Sequence, residues 1–214
     1  IKRVMAELGG KNAIIVDSDA DLDEAVTGVL HSAFGFQGQK CSACSRAIVL
    51  EPLYERFIER LAEAARSLHI GPAEDPRSFM GPVVDEEAYK RILNTIDEAK
   101  TSHRLIYQGQ MLTGGYFIPP TIFADVQPNS DLAQKEIFGP VLAVIKAKDI
   151  SEALAIANDT EYALTGGFFS RSPANIERVK REFEVGNLYI NRGNTGALVE
   201  RHPFGGFKMS GMGS

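Results

Sequence analysis

Cys41 stands in the run Gly38-Gln39-Lys40-Cys41, and one carboxylate, Glu7, lies well upstream in Glu7-Leu8-Gly9-Gly10-Lys11. A thiol after a small polar turn, with a distant carboxylate, is the minimum equipment for covalent catalysis at a carbonyl: the sulfur attacks, and the carboxylate activates the water that clears the intermediate. The attacking species is the thiolate. An ordinary cysteine, with a pKa of about 8.5, is mostly protonated at neutral pH, so a nearby base or backbone dipoles must favour ionisation. The oxyanion of the tetrahedral intermediate needs preorganised donors, and the backbone N–H of Cys41 is one candidate.

The same cysteine has other readings. With Cys44 it forms a Cys-x-x-Cys pair that could be structural, redox-active or metal-binding. A zinc site needs four ligands, and the pair leaves only His31, His69, His103 and His202 to complete it, none at a motif-like spacing. A thioredoxin-like pair opens a helix after a strand, whereas this pair follows a predicted helix and precedes a strand.

The elements that must position these groups are legible as periodicity. Asn12-Ala13-Ile14-Ile15-Val16 is a short apolar run that fits a buried strand, and Leu22, Ala25, Val26, Val29, Leu30 and Ala33 recur at helical spacing behind a cluster of aspartates. They predict a helix over 22–36, with Cys41 in a turn just after it. Further strands are expected at 47–50, 105–107, 141–145, 167–169 and 186–191, with extended chain at 116–118 and 121–123. Helices are expected at 53–68, 85–100, 150–158 and 173–183, and a Gly/Pro-rich loop at 71–82. This alternation predicts an α/β fold: a three-layer, open, largely parallel sheet with helices on both faces.

A chain of 214 residues suits one domain with a full core. Hydrophobic residues make up 44% and charged residues 24%, which argues against long disorder. The net charge of −5 and the absence of a concentrated basic stretch argue against nucleic acid as a partner. Apolar runs fall far short of the roughly 20 residues a membrane helix requires, and the first residues lack a signal-peptide pattern. With only two cysteines a disulfide framework is excluded, so a reducing, cytoplasmic location is expected.

Four segments together carry a resemblance. Residues 7–11 (Glu-Leu-Gly-Gly-Lys), 38–46 (Gly-Gln-Lys-Cys-Ser-Ala-Cys-Ser-Arg), 136–140 (Glu-Ile-Phe-Gly-Pro) and 203–206 (Pro-Phe-Gly-Gly) resemble, in order and spacing, the aldehyde dehydrogenase superfamily. That resemblance implies that Cys41 attacks the aldehyde to give a thiohemiacetal, that hydride passes to NAD or NADP leaving a thioester, and that Glu7 activates the water for deacylation. It implies that Glu136 and Phe138 contact the nicotinamide ribose and ring. Taken alone, Glu136 reads as a solvated carboxylate, Phe138 as a core aromatic and Lys11 as structural. A second oxyanion donor, an asparagine by resemblance, is expected upstream of Ile1.

The stretch Asn194-Thr195-Gly196-Ala197 before Pro203-Phe204 resembles the substrate-anchor loop of the subfamily that oxidises L-glutamate γ-semialdehyde to glutamate. A glycine-containing loop can present backbone N–H groups to an α-carboxylate. By this resemblance Gly196 and Ala197 hold the carboxylate, Ser42 adds a hydroxyl and Phe204 packs on the aliphatic part; on composition alone the loop is a surface turn. Glu200 and His202 depart from the small or neutral residues expected there, and they are expected to stand clear of the anchor. Other aldehydes, or a non-catalytic binding or assembly domain, remain open. No dinucleotide-binding glycine loop occurs. The expectation is therefore a catalytic domain belonging to a longer, homo-oligomeric dehydrogenase, whose cofactor-binding domain and oligomerisation segment lie outside these residues.

Overall fold

The computed structural model describes residue 6, residues 8–198 and residues 201–212. Glu7 and Glu200, both singled out above, lie outside the described residues.

The chain opens with β1 (Asn12–Val16) and α1 (Leu22–Phe34), followed by β2 (Cys44–Leu50) and α2 (Tyr54–Arg66). Then come α3 (Glu86–Lys100), β3 (Arg104–Gln108), β4 (Thr121–Ala124), the one-turn α4 (Asp131–Gln134), β5 (Val141–Ala147) and α5 (Ile150–Asn158). The short β6 (Tyr162–Ala163) leads into β7 (Thr165–Phe169), α6 (Pro173–Glu182), β8 (Asn187–Ile190) and β9 (Phe207–Lys208).

Seven strands form one sheet in the order β3-β4-β5-β2-β1-β7-β8, parallel throughout except for β3 against β4. The two-residue alternation of β1 divides the core. Ala13 and Ile15 face a cluster completed by α3, α5 and α6, while Ile14 and Val16 face one completed by α1 and α2. Helices thus cover both faces, as the sequence predicts. Side-chain caps start the helices where expected: Asp21 accepts from the N–H groups of Asp23 and Glu24, Asp85 from Ala88, Asp149 from Glu152 and Ser172 from Asn175.

Several boundaries differ from expectation. The first helix ends at Phe34, because Phe36 and Gln37 adopt left-handed backbone. The second strand starts at Cys44, three residues early, because Arg46 enters the ladder by burying its guanidinium on carbonyl oxygens. Residues 116–118 form no strand; Tyr116 gives its carbonyl to Val83 N–H (2.9 Å), while Phe117 and Ile118 are buried. The ribbon of β6 with β9, two residues each, is too short to leave a periodic signature. No helix among the described residues is long and apolar enough to cross a membrane.

Candidate active site

The segments quoted above converge at one edge of the sheet. Gly9, Gly10 and Lys11 enter β1, Cys41 precedes β2, residues 136–140 enter β5, and Thr165 opens β7. All four meet at the amino-terminal ends of their strands. Open parallel sheets more often bind ligands beyond the carboxyl ends, so the strand pattern alone points to the wrong edge.

The turn that carries Cys41 grows from the end of α1. Phe36 and Gln37 both have φ 59°, and Gly38 follows at φ 66°, so three successive residues reverse the chain. Left-handed backbone costs a non-glycine residue on the order of 1 kcal/mol and persists where the surroundings enforce it. A Cβ on Gly38 would stand 2.3 Å from the carbonyl oxygen of Gly139, so glycine lets the 136–140 segment lie directly against this turn. Gln39 N–H donates to Phe36 O (2.9 Å), and Ala43 N–H donates to Lys40 O (3.0 Å), enclosing Cys41. Cys41 itself is half-buried.

Asn12 holds this turn from below. Its Nδ2 donates to the carbonyl oxygens of Cys41 (2.8 Å) and Ala43 (2.9 Å), and its Oδ1 accepts from Thr165 N–H (3.0 Å). Thr165 Oγ1 donates to Ser42 O (3.2 Å) and accepts from Asn194 Nδ2 (3.2 Å). Asn194 N–H in turn donates to Ser32 Oγ on α1 (3.2 Å). One polar network therefore joins the Cys41 turn to β1, β7, α1 and the loop after β8. Sequence reasoning missed Asn12, Thr165 and the buried role of Asn194. The available signal was a polar residue at the first position of an otherwise apolar strand, as Asn12 precedes Ala13-Ile14-Ile15-Val16.

The carboxylate Glu136 reaches the first motif. Its Oε1 accepts from Gly10 N–H (3.0 Å), and a Cβ on Gly9 would fall 2.3 Å from Oε2. Phe138, also in left-handed backbone (φ 53°), leaves 39% of its surface exposed, so it is no core aromatic. Ser210, four residues beyond the last motif, closes the same corner, its Oγ donating to Gly9 O (2.7 Å) and accepting from Ala163 N–H (3.1 Å).

The two cysteines are unlike. Cys44 is buried, donates to Arg46 O (3.4 Å), and burial pushes its thiol up to about 12. Such a thiol is inert at neutral pH. Arg46 is buried too, spreading its guanidinium over the carbonyl oxygens of Lys11, Ile156 and Ala157, each at 3.0 Å. Lys11 is 1% exposed and its Nζ has no hydrogen-bond partner among the described residues; desolvation, aided by the Arg46 cation, brings it down to about 7. No group of three or more His, Cys, Asp or Glu among the described residues could hold a metal ion.

Cys41 opens onto a pocket of about 370 Å³ lined by Lys40, Cys41, Ser42, Thr195, Ala197, Leu198, His202 and Phe204. Of the expected substrate residues, Ser42, Ala197 and Phe204 therefore meet Cys41 in one cavity. Gly196 borders the neighbouring groove instead, where a Cβ would stand 1.9 Å from Arg192 Nη2. Glu136 and Phe138 lie outside this pocket's lining. His202, expected to stand clear of the anchor, lines the pocket beside Ala197, because its Nδ1 accepts from Leu198 N–H (3.4 Å) and folds the ring over the loop.

A thiol in an enforced turn, a carboxylate tied to a Gly-Gly segment and a doubly covered parallel sheet define a class. The chain belongs to the aldehyde dehydrogenase family, which it matches over residues 1–214. More particularly, it is 53% identical to the 1-pyrroline-5-carboxylate dehydrogenase of Geobacillus sp. (strain WCH70) and 49% identical to that of Bacillus subtilis (strain 168), in each case over all of this chain and 42% of the relative. Among solved structures it is similar to proline utilization A from Bdellovibrio bacteriovorus inactivated by N-propargylglycine (68% identity, TM-score 0.96, 97% of this chain and 22% of that one). It is also similar to 1-pyrroline-5-carboxylate dehydrogenase from Thermus with bound NAD (53%, TM-score 0.91, 94% and 39%). The chain spans 42% of the length of the curated relatives it matches.

Proposed function

We propose that this chain is the catalytic domain of an NAD(P)-dependent dehydrogenase that oxidises L-glutamate γ-semialdehyde to glutamate in proline degradation. The observation that carries the proposal is the single pocket in which Cys41, Ser42, Ala197 and Phe204 meet. The names of the relatives support it, and their greater length supports a division of labour in which the cofactor-binding domain lies outside residues 1–214.

In this reading the Cys41 thiolate attacks the aldehyde carbon, forming the C–S bond and an oxyanion that takes up the Cys41 backbone N–H as a donor. Ser42 and the loop at Ala197, with Gly196, hold the α-carboxylate while Phe204 covers the methylene chain. Glu136, its carboxylate oriented by Gly10 N–H, and the half-exposed ring of Phe138 offer an acceptor and an apolar face that fit a nicotinamide riboside end. When bound, the cofactor supplies the hydride acceptor that raises the substrate carbon to the thioester level. Glu7 then takes a proton from water, whose oxygen attacks the thioester carbonyl; the C–S bond breaks and the carboxylate leaves. We place the enzyme in the cytoplasm, on its two-cysteine composition, and read its parent as a homo-oligomer, on the family resemblance.

The test is kcat/KM of the full-length enzyme for L-glutamate γ-semialdehyde against an uncharged aldehyde of similar length, with NAD and with NADP. A preference of roughly 100-fold for the acidic substrate is expected from one or two hydrogen bonds to a charged group, at about 1.5–3 kcal/mol each. Equal values would point to another aldehyde, and no turnover of either to a non-catalytic domain.

A further inference from the structure

The polar side chains lining the Cys41 pocket are Lys40, Ser42, Thr195 and His202, and no carboxylate is among the described residues that line it. Lys40 contributes charge, with its ammonium resting over the Phe36 ring at 4.8 Å. His202 contributes direction. Its backbone N–H donates to Leu198 O (3.1 Å), and its Nδ1 accepts from Leu198 N–H (3.4 Å), so main chain and ring are both fastened to the residue that follows Ala197. An imidazole that accepts at Nδ1 carries its proton on Nε2 in the neutral form. Nε2 has no hydrogen-bond partner among the described residues, so within them the ring in the pocket wall presents its Nε2–H unpaired.

We infer that His202 is a specificity-determining residue that donates its Nε2–H to the carboxylate of an acidic aldehyde substrate, a contact supplied by a side chain in addition to the anchor loop. The inference rests on the acidic-semialdehyde reading above. The loop fixes the ring through Nδ1, which leaves Nε2 as the group that recognises the anion and keeps the donor in place without the entropy cost of ordering a mobile chain. An uncharged aldehyde of the same length gains nothing from it.

The test compares His202→Phe, which keeps a ring and loses the donor, with His202→Gln, which restores one, in the full-length enzyme. A hydrogen bond to a charged group is lost at a cost equivalent to roughly tenfold or more in affinity. His202→Phe is therefore expected to raise KM for L-glutamate γ-semialdehyde about tenfold, and the inhibition constant of glutamate in parallel, with kcat and the KM for the uncharged aldehyde within about twofold. His202→Gln is expected to recover most of the loss. His202 is exposed, so folding is not at stake. An unchanged KM for the acidic aldehyde, an equal rise for both aldehydes, or no recovery with Gln would overturn the inference. A wild-type enzyme without preference for the acidic aldehyde would overturn the substrate reading first, and this inference with it.

Discussion

Gly10 lies directly beneath Cys41: a Cβ at Gly10 would stand 2.4 Å from the carbonyl oxygen of Cys41. The contact is to backbone, which has no flexible end to move aside, so the glycine fixes how low the Cys41 turn sits on the entry to β1. Gly10→Ala is expected to lift the turn and misplace the sulfur. Displacements of about 1 Å at a reacting centre can cost on the order of 100-fold, and the loss should appear in kcat, with cofactor KM rising as well because Gly10 N–H orients Glu136. A substitution that leaves kcat within about twofold would contradict the placement.

Asn12 is the polar counterpart of that contact. Asn12→Ala removes both donors to the Cys41 and Ala43 carbonyl oxygens and the acceptor of Thr165 N–H. Leaving buried backbone groups unpaired costs about 1–3 kcal/mol each. Thermal unfolding should therefore show a large loss of stability, and kcat should fall in the fraction that remains folded. Unaltered stability would contradict the reading of Asn12 as a buried clamp on this turn.

The thiols should separate cleanly. Cys44, at about 12 and buried, is ionised to a negligible extent at neutral pH, whereas Cys41 is half-buried beside a pocket. Alkylation near pH 8 is expected at Cys41 and not at Cys44 in the native enzyme. Cys41→Ala should abolish oxidation, while Cys44→Ala should retain most of it with a stability loss of about 1–2 kcal/mol from the vacated core. Equal losses of activity would restore the paired-cysteine reading.

Lys11 ties stability to pH. Unfolded, it keeps its proton up to its ordinary value of 10.5; folded, it releases it near 7. Between those values the unfolded chain binds more protons, so stability rises with pH, and the cost of the buried ammonium is complete below about pH 7. Above about pH 9 the Cys44 thiol acts in the opposite sense, because its folded value is raised to about 12 and the unfolded thiol ionises first. The clean window is about pH 7 to 9. At about 1.4 kcal/mol per unit, Lys11→Met is expected to stabilise the protein by a few kcal/mol near pH 7 and to flatten the rise toward pH 9. Urea unfolding of both proteins across that window checks it, and parallel slopes would contradict it.

The sheet was legible because β1 is apolar on both faces and α1, α2 and α3 each repeat one apolar stripe, signals that short-range pattern carries well. The cysteine's turn was legible for the same reason, since Leu22 to Ala33 sets its phase and Gly38 marks the reversal. What pattern did not carry is contact between distant segments. The Gly10–Glu136 and Asn12–Cys41 hydrogen bonds are made to backbone groups, which every residue possesses, and the tight approaches at Gly10 and Gly38 depend on the absence of a side chain. For that reason the amino-terminal edge as the site's location, Asn12 as its clamp and His202 in its wall emerged only from the folded chain, and the left-handed pair Phe36-Gln37 runs against residue preference altogether.

Covalent catalysis by Cys41 with deacylation by Glu7 is open to test by rapid-quench mass spectrometry of the Glu7→Gln enzyme. With cofactor and L-glutamate γ-semialdehyde, the peptide bearing Cys41 should gain the mass of a glutamyl thioester, approaching one per active site, after a single burst of reduced cofactor. Turnover without an adduct on Cys41, or with the adduct on Cys44, would contradict it.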